Sequence, residues 1–508
     1  MFTFQEIWFT FFGYIGLMNY TTIGLIVMAS VFCFVGGPRI IKDTVAFSCH
    51  SINFVNAMFK KYGTEDLAPI PFRVFPMVTQ PSLFISNPSH VMQMLNNRHN
   101  DFSEKSHPAF LKVFTAALPY TTVTEETKEL WRRNRARVFH HLKPTGMTSG
   151  DSNYLQDTIG VMREVLRERT LPEWKLAAEK GDKIDIGASI FTFASIVAFR
   201  WVTKLPSKDI PDYIHPIVNR TFELLSKRVL DPLANMYPNI EDSIKKEMDS
   251  GKKAIRDWLN EVYPKCPDES YFKYVMDDKS LKDGETARTL VEKYGEILGS
   301  LVGASETIIR SMQLSILHFA EHPEIQEEIY QHLCNDGVDF KEDIGHVSFH
   351  PITVPYVEWM TKEILRLFHP AYLFTREVVK DTAFEDGNYP LKKGTVIWGS
   401  QCVLHKIPGI RNKETGEYTE IWGNDAEVFR PTRWENRTRI MNDSFNTFIK
   451  GARQCPGIDF SHAEVATVIT TIIKNFRIRR ADNIPISVRC YLTQQPDREI
   501  YIYLEKRI

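Results

Sequence analysis

The residues best suited to chemistry lie in the run Phe448-Ile-Lys-Gly451-Ala-Arg453-Gln-Cys455-Pro-Gly457. A single cysteine sits in a turn between two glycines, with a basic residue two positions ahead and a helix-like sequence after it. Glycine lets the backbone come close to a flat ligand and take turns that larger residues resist. A thiolate held in such a turn can ligate haem iron and push electron density toward bound oxygen. The competing reading is a buried structural cysteine, since free cysteine is among the most buried residue types.

Three other groupings carry chemical potential. Gly303-Ala304-Ser-Glu306-Thr307 lies in a long helical pattern, and Gly303 and Thr307, four apart, share a helix face. Glycine inside a helix costs roughly 0.5–1 kcal/mol relative to alanine, a cost that room for a ligand would offset. Threonine can hydrogen-bond a bound oxygen or water, and a neighbouring glutamate can connect it to solvent, as proton delivery requires. A packing glycine beside a solvated Glu-Thr pair is the plainer alternative. Glu363 and Arg366, three apart, can pair on one face. Trp359, Met360, Ile364, Leu365, Leu367 and Phe368 leave that helix little polar surface, so a buried, shared pair is expected. A surface pair would be worth only about 0–1 kcal/mol. Trp131 and Arg135 also share a face, and the planar fork of arginine suits carboxylates. Arg132, Arg133 and Arg137 beside them fit a solvated basic helix or a docking patch for an acidic partner.

The cysteine run resembles the haem-binding signature of the cytochrome P450 superfamily, Phe-x-x-Gly-x-Arg-x-Cys-x-Gly, with every position filled. The resemblance implies that Cys455 is the axial iron ligand, that Arg453 pairs with a haem propionate and that Phe448 packs near the sulfur, with Gly451 and Gly457 in the haem-binding turn. Gly303 to Thr307 resembles the family's oxygen-activation motif, Ala/Gly-Gly-x-Asp/Glu-Thr, with Ala304 where glycine is usual. By that likeness Gly303 and Ala304 border the haem, and Thr307 and Glu306 are the catalytic residues that deliver protons. Glu363-x-x-Arg366 matches the family's Glu-x-x-Arg. Its usual third member falls on Arg433 in Phe429-Arg-Pro-Thr-Arg433-Trp434, where Trp434 replaces the commoner phenylalanine. These three imply a structural network that serves folding and haem retention. Trp131, Arg135 and Arg376 match positions that reach haem propionates. Phe110, Phe114, Tyr120, Ala371, Leu373, Tyr491 and Leu492 occupy positions expected to line the substrate pocket.

The family's activity is then the expected one: a monooxygenase carrying haem b, consuming O2 and acting on a lipophilic sterol, fatty acid, terpenoid or xenobiotic. No flavin or nicotinamide motif occurs in the sequence, so electrons are expected from a separate NADPH-dependent flavin reductase, with cytochrome b5 as a further donor. Two alternatives keep the haem site: a reductase-independent isomerase or dehydratase of peroxides, and a non-enzymatic membrane haem protein.

Bulk properties narrow the setting. A formal net charge of −1 over 508 residues offers no basic field for nucleic acid. Cysteines at 33, 49, 266, 334, 402, 455 and 490 form no close pair, so neither a zinc site nor a small disulfide framework is indicated. Residues 7–38 carry no charge and are rich in Phe, Ile, Leu and Val, longer than the apolar core of a cleaved signal peptide at about 7–15 residues. Arg39 and Lys42 follow them, and the positive-inside tendency leaves the remainder in the cytosol. Residues 1–38 are therefore expected to be a single-pass anchor in the endoplasmic reticulum membrane, and residues 39–508 the catalytic domain. With a cytosolic catalytic domain the sequons at Asn19, Asn219, Asn436 and Asn442 would be unused.

The elements that must position these residues are mostly α with small β-sheets. Helical patterns cover 125–141, 155–169, 239–262, 285–320 and 357–368. Strands are expected at 72–78 and 82–86, and a closing hairpin is expected to pair 486–493 with 498–507 across the turn Gln494-Gln-Pro-Asp497. The polar segment 410–420 reads as a surface loop.

Overall fold

The computed structural model describes residues 67–70, 82–98, 100–103, 114–124, 128–142, 153–229, 239–279, 287–335, 354–385, 390–411, 415–490 and 493–507. The expected anchor at 1–38, the expected strand at 72–78, and Phe110, Tyr491 and Leu492 lie outside them.

Strands β1 (Leu67–Ile70) and β2 (Ser82–Ile85) open the described chain. Helices α1 (Lys128–Leu142), α2 (Asn153–Val165) and α3 (Leu171–Lys180) follow, the last two joined by a wide turn at Leu166–Thr170. After β3 (Ile184–Asp185) come α4 (Ile186–Thr203), α5 (Ile214–Val229), α6 (Ser243–Val262) and α7 (Tyr271–Met276). The axis of the molecule is α8 (Leu290–Glu321), 32 residues long, or about 48 Å at about 1.5 Å per residue. Thr289 starts it with a capping box: its hydroxyl accepts from Glu292 N–H at 3.3 Å while the Glu292 carboxylate accepts from Thr289 N–H at 2.6 Å.

Helices α9 (Pro323–Asn335) and α10 (Pro355–Leu367) each begin on a proline, whose missing N–H costs nothing there. Strands β4 (Leu373–Glu377) and β5 (Val396–Ser400) complete the main sheet, and α11 (Ile458–Asn475) follows the cysteine loop. The chain ends with β6 (Phe476–Arg480), β7 (Val488–Cys490), β8 (Gln494–Pro496) and β9 (Tyr501–Lys506). Helix α8 packs against α4, α10 and α11. The largest core cluster draws on these helices, and a second lies under the four-stranded sheet β1-β2-β5-β4.

Helix α4 is apolar and long enough to cross a bilayer by length and composition. It is instead an interior helix, with Ile190, Phe193, Ala194, Ile196 and Val197 wholly buried. Its N-terminus sits so close to α8 that a Cβ on Gly187 would lie 2.3 Å from Gln313 Nε2.

The closing hairpin differs from the expectation. β9 pairs with β6 (Ile478↔Leu504) and with β3 (Ile502↔Ile184), while β7 and β8 form their own small hairpin (Val488↔Pro496). Alternation in β9 marks which residues face inward but not which strand lies beside it. Phe476 and Ile478 bury toward the same core as Ile502 and Leu504, and that shared burial selects the distant partner. The segment expected to be a loop at 410–420 carries a two-stranded ladder, Gly409–Arg411 with Tyr418–Glu420, at the surface.

Candidate active site

Cys455 follows a short turn, Gly451–Arg453, and precedes α11. The loop closes through Cys455 N–H donating to Phe448 O at 2.9 Å, and Gly457 N–H points at Cys455 Sγ at 3.4 Å. Gly451 has φ +77°, and a Cβ there would lie 1.9 Å from the Leu95 carbonyl oxygen, so only glycine fits. Ile449 also has positive φ, 60°. For a β-branched residue this is an outlier of about 1–3 kcal/mol, the kind of strain found where surroundings over-determine a site. Nothing in the sequence signals it. Burial pushes the Cys455 thiol up, and the Gly457 N–H and the Arg135 guanidinium pull it back.

A cationic rim borders this loop. The Arg453 guanidinium lies 3.8 Å from the centre of the Trp131 ring, and Arg135 lies 5.6 Å from the same ring and donates to Gln454 O at 2.6 Å. Arg376 on β4 is 4% exposed and, among the described residues, donates only to the adjacent Thr375 O, at 2.7 Å. Burial, then the nearby Arg453 charge, brings its guanidinium down to about 10. Among the described residues neither Arg135 nor Arg376 has a carboxylate partner, and the buried Trp131 Nε1–H has no acceptor. Buried cations and donors without acceptors are costly. A ligand bearing carboxylates would satisfy them, and a half-buried thiol beside them is a soft metal donor. The residues present therefore fit a haem: Cys455 would hold its iron, and Arg135, Arg376, Arg453 and Trp131 would hold its propionates.

On α8, Gly303 is exposed although Leu301, Val302, Ser305 and Glu306 around it are buried. A Cβ built on Gly303 meets nothing within 4 Å, so open space lies beside the middle of an otherwise buried helix. Ala304 and Thr307 are half-buried, and the Thr307 hydroxyl donates to Gly303 O at 3.1 Å. Glu306 lies about 100° further round the helix than Thr307. It is fully buried, accepting from Arg310 Nη2 at 3.0 Å and from the Thr493 hydroxyl at 3.2 Å. Arg310, four residues further on, was legible as an i,i+4 partner, whereas Thr493, 187 positions away, was not.

Glu363, Arg366 and Arg433 come together behind the loop. Glu363 Oε1 accepts from Arg366 Nη2 at 2.8 Å, Arg433 Nε at 2.8 Å and Arg430 N–H at 3.0 Å. Its Oε2 accepts from Arg366 Nε and from Trp434 Nε1, both at 2.9 Å. Trp434 thus supplies a donor that phenylalanine lacks. Burial raises the Glu363 carboxyl, but these donors outweigh it and hold the group below the ordinary carboxylate range. The cluster reaches the cysteine loop through His405, whose Nδ1 lies 2.8 Å from Arg366 O while its Nε2 accepts from Asn446 N–H at 2.9 Å. Thr447 Oγ1 donates to Leu365 O at 2.8 Å.

Of the residues expected to line a substrate pocket, Phe114 is buried in the main core, and Ala371 and Leu373 are half-buried around the start of β4. Tyr120 is 39% exposed with φ 65°.

The family model for Cytochrome P450 matches residues 50–498. The bifunctional cytochrome P450/NADPH--P450 reductase 2 of Bacillus subtilis is 29% identical over 223 residues, 42% of this chain and 19% of that protein. The lanosterol 14-alpha demethylase of Candida tropicalis is 25% identical over 213 residues, 37% of this chain and 38% of that enzyme. The match spans less than two thirds of either relative. Among solved structures, retinoic acid bound cyanobacterial CYP120A1 superposes with a TM-score of 0.70 at 17% identity, covering 92% of this chain and 96% of the other. At that identity the likeness is one of fold.

Proposed function

Because this chain belongs to the cytochrome P450 family, we propose that it is a haem-thiolate monooxygenase acting on a lipophilic substrate. The observation that carries the proposal is the pairing of the Cys455 loop with two cations, half-buried Arg135 and buried Arg376, that have no carboxylate partner among the described residues. Haem bound there supplies O2 activation: one oxygen atom enters the substrate and the other leaves as water.

The chain's own residues have separable tasks in this reading. Cys455 holds the iron, with its sulfur oriented by the Gly457 N–H. Arg135, Arg376, Arg453 and Trp131 hold the propionate edge. Gly303 and Ala304 keep side chains out of the space beside α8. Thr307 presents its hydroxyl on that face, with the proton resting on Gly303 O, and Glu306 holds or passes a proton from the layer behind it. Glu363, Arg366 and Arg433 fix the loop that presents the sulfur.

Two electrons per turnover come from a separate protein. The name of the Bacillus relative pairs a cytochrome P450 with NADPH–P450 reductase, which supports an NADPH-dependent flavin reductase as donor, with cytochrome b5 as a second. The demethylase relative and the retinoic acid-bound neighbour act on or bind lipophilic molecules by their names, which supports a lipophilic substrate here. The uncharged segment 7–38 followed by Arg39 and Lys42 supports a single-pass anchor in the endoplasmic reticulum membrane, with the catalytic domain in the cytosol.

The deciding measurement is the spectrum of the reduced, carbon monoxide-bound protein, compared with Cys455→Ala. The wild type is expected to give the red-shifted Soret band of thiolate-ligated haem, and the variant to lose it. No such band in the wild type, or its survival in the variant, defeats the assignment.

A further inference from the structure

The 117–124 segment between Phe114 and α1 is held from four sides. Its carbonyls take donors from three separate elements. Lys252 Nζ on α6 donates to Ala117 O at 2.9 Å, Asn134 Nδ2 on α1 to Tyr120 O at 3.0 Å, and Arg453 Nη1 on the cysteine loop to Thr122 O at 3.3 Å. Thr124 Oγ1 closes the turn on Leu118 O at 3.0 Å, and Thr121 Oγ1 accepts from the N–H groups of Val123 and Thr124 at 3.2 and 3.1 Å. On the fourth side α8 offers two glycines. A Cβ on Gly295 would lie 2.1 Å from Pro119 O, and one on Gly299 would lie 2.5 Å from Thr121 Cγ2. The turn therefore rests directly on the helix that carries Gly303 and Thr307.

Asn134 is the donor whose orientation is itself enforced. It is 1% exposed, and its Oδ1 accepts from Arg137 Nη1 at 2.8 Å, so its amide N–H must face Tyr120 O. Arg137 is set by Glu296 Oε2 on α8, at 3.0 Å. Glu296 also accepts from Arg288 and, at 3.0 Å, from the Tyr271 hydroxyl. All of these side chains are buried. The backbone they fix is not relaxed: Tyr120 is held at positive φ, a conformation that a non-glycine residue keeps only when its surroundings impose it.

We propose that Asn134 is a positioning residue which, oriented by Arg137 and Glu296, clamps the 118–124 turn onto Gly295 and Gly299 and so sets the shape of the wall met by a substrate. That this wall borders a substrate rests on the haem-thiolate reading above and on Gly299 and Gly303, four apart on one face of α8, the first against Thr121 and the second facing open space. The clamp itself does not.

The test uses the full chain loaded with haem and the variant Asn134→Asp, which keeps an acceptor for Arg137 and removes the donor to Tyr120 O. Hydrogen–deuterium exchange reads the clamp. Amides of 118–124 are expected to exchange about tenfold faster in the variant, the worth of one hydrogen bond, with α8 peptides beyond Thr307 unchanged. Difference-spectrum titrations with imidazole and with 4-phenylimidazole read the wall. Imidazole affinity is expected to stay within about twofold, while the ratio of the two affinities shifts by about tenfold. Unchanged exchange overturns the clamp. Faster exchange with an unchanged affinity ratio overturns the role in shaping the wall, and a purely structural asparagine would give that result. A wild type with no azole spectrum rejects the haem reading and the wall with it, while exchange still decides the clamp. Should Asn134→Asp fail to fold, Gly299→Ala presses Thr121 from the α8 side and is expected to shift the same affinity ratio.

Discussion

Cys455 is pulled in two directions, and its neighbours show which chemistry the loop favours. Burial alone would keep the sulfur protonated, while the Gly457 N–H and Arg135 favour the thiolate; a metal ion completes that shift. Arg376 poses the converse problem, a cation buried beside another cation. Arg376→Leu is therefore expected to leave the haem-free protein as stable or more stable. The same change is expected to speed haem loss by about 10–100-fold, the worth of a charge-assisted hydrogen bond. Thermal melts of the apoprotein and haem transfer to apomyoglobin separate the two effects, and unchanged transfer would remove Arg376 from the propionate edge. Thr307→Ala is expected to release more hydrogen peroxide and less product per NADPH consumed; unaltered coupling counts against its role. Glu306→Gln keeps most of the shape but not the charge that Arg310 and Thr493 hold. It is expected to slow turnover and to enlarge the solvent isotope effect. An isotope effect equal to that of the wild type would make Glu306 a structural anion.

Among the elements, α10 and the Pro431–Trp434 turn behave as one unit through Glu363. Removing one partner of a buried pair leaves a charge uncompensated, so Arg433→Met is expected to destabilise the fold by about 3–5 kcal/mol. The pH dependence follows from the sign of the shift. The folded Glu363 carboxyl lies below its ordinary value, so its contribution is present above that value and is lost as pH falls through the lowered one. Without Arg433 the carboxyl rises, and acid unfolding is expected to begin at higher pH. A denaturation series across pH 3–6 reads this; parallel wild-type and variant profiles would refute the linkage. His369 adds a second acid-sensitive term. Burial brings it down to about 4, so the unfolded chain takes up the proton first and stability is lost as pH falls from 6.5 toward 4.

At the scale of the molecule, one apolar helix is interior and another apolar segment is expected to be in a membrane. Length and composition do not separate α4 from a span, but its burial against α8 does. Deleting residues 1–38 is expected to move the protein from the membrane to the soluble fraction without loss of the carbon monoxide spectrum. Asn219, Asn436 and Asn442 are all exposed, so a lumenal domain would offer them to glycosylation. No mass shift on treatment with an N-glycosidase is expected, and a shift would reverse the orientation. The helical frame, the cysteine loop and the Glu363–Arg366 pair could be read from the sequence because each depends on neighbours within a few residues, where 3.6-residue periodicity and turn chemistry act. Which strand lies beside β9, the left-handed Ile449, the indole of Trp434 on Glu363 and the carbonyl clamp on 117–124 could not. Each is a contact between residues far apart in the chain, or for Ile449 a backbone conformation held where it packs on such a core; how all the buried faces fit together selects it, and local pattern carries no record of that sum.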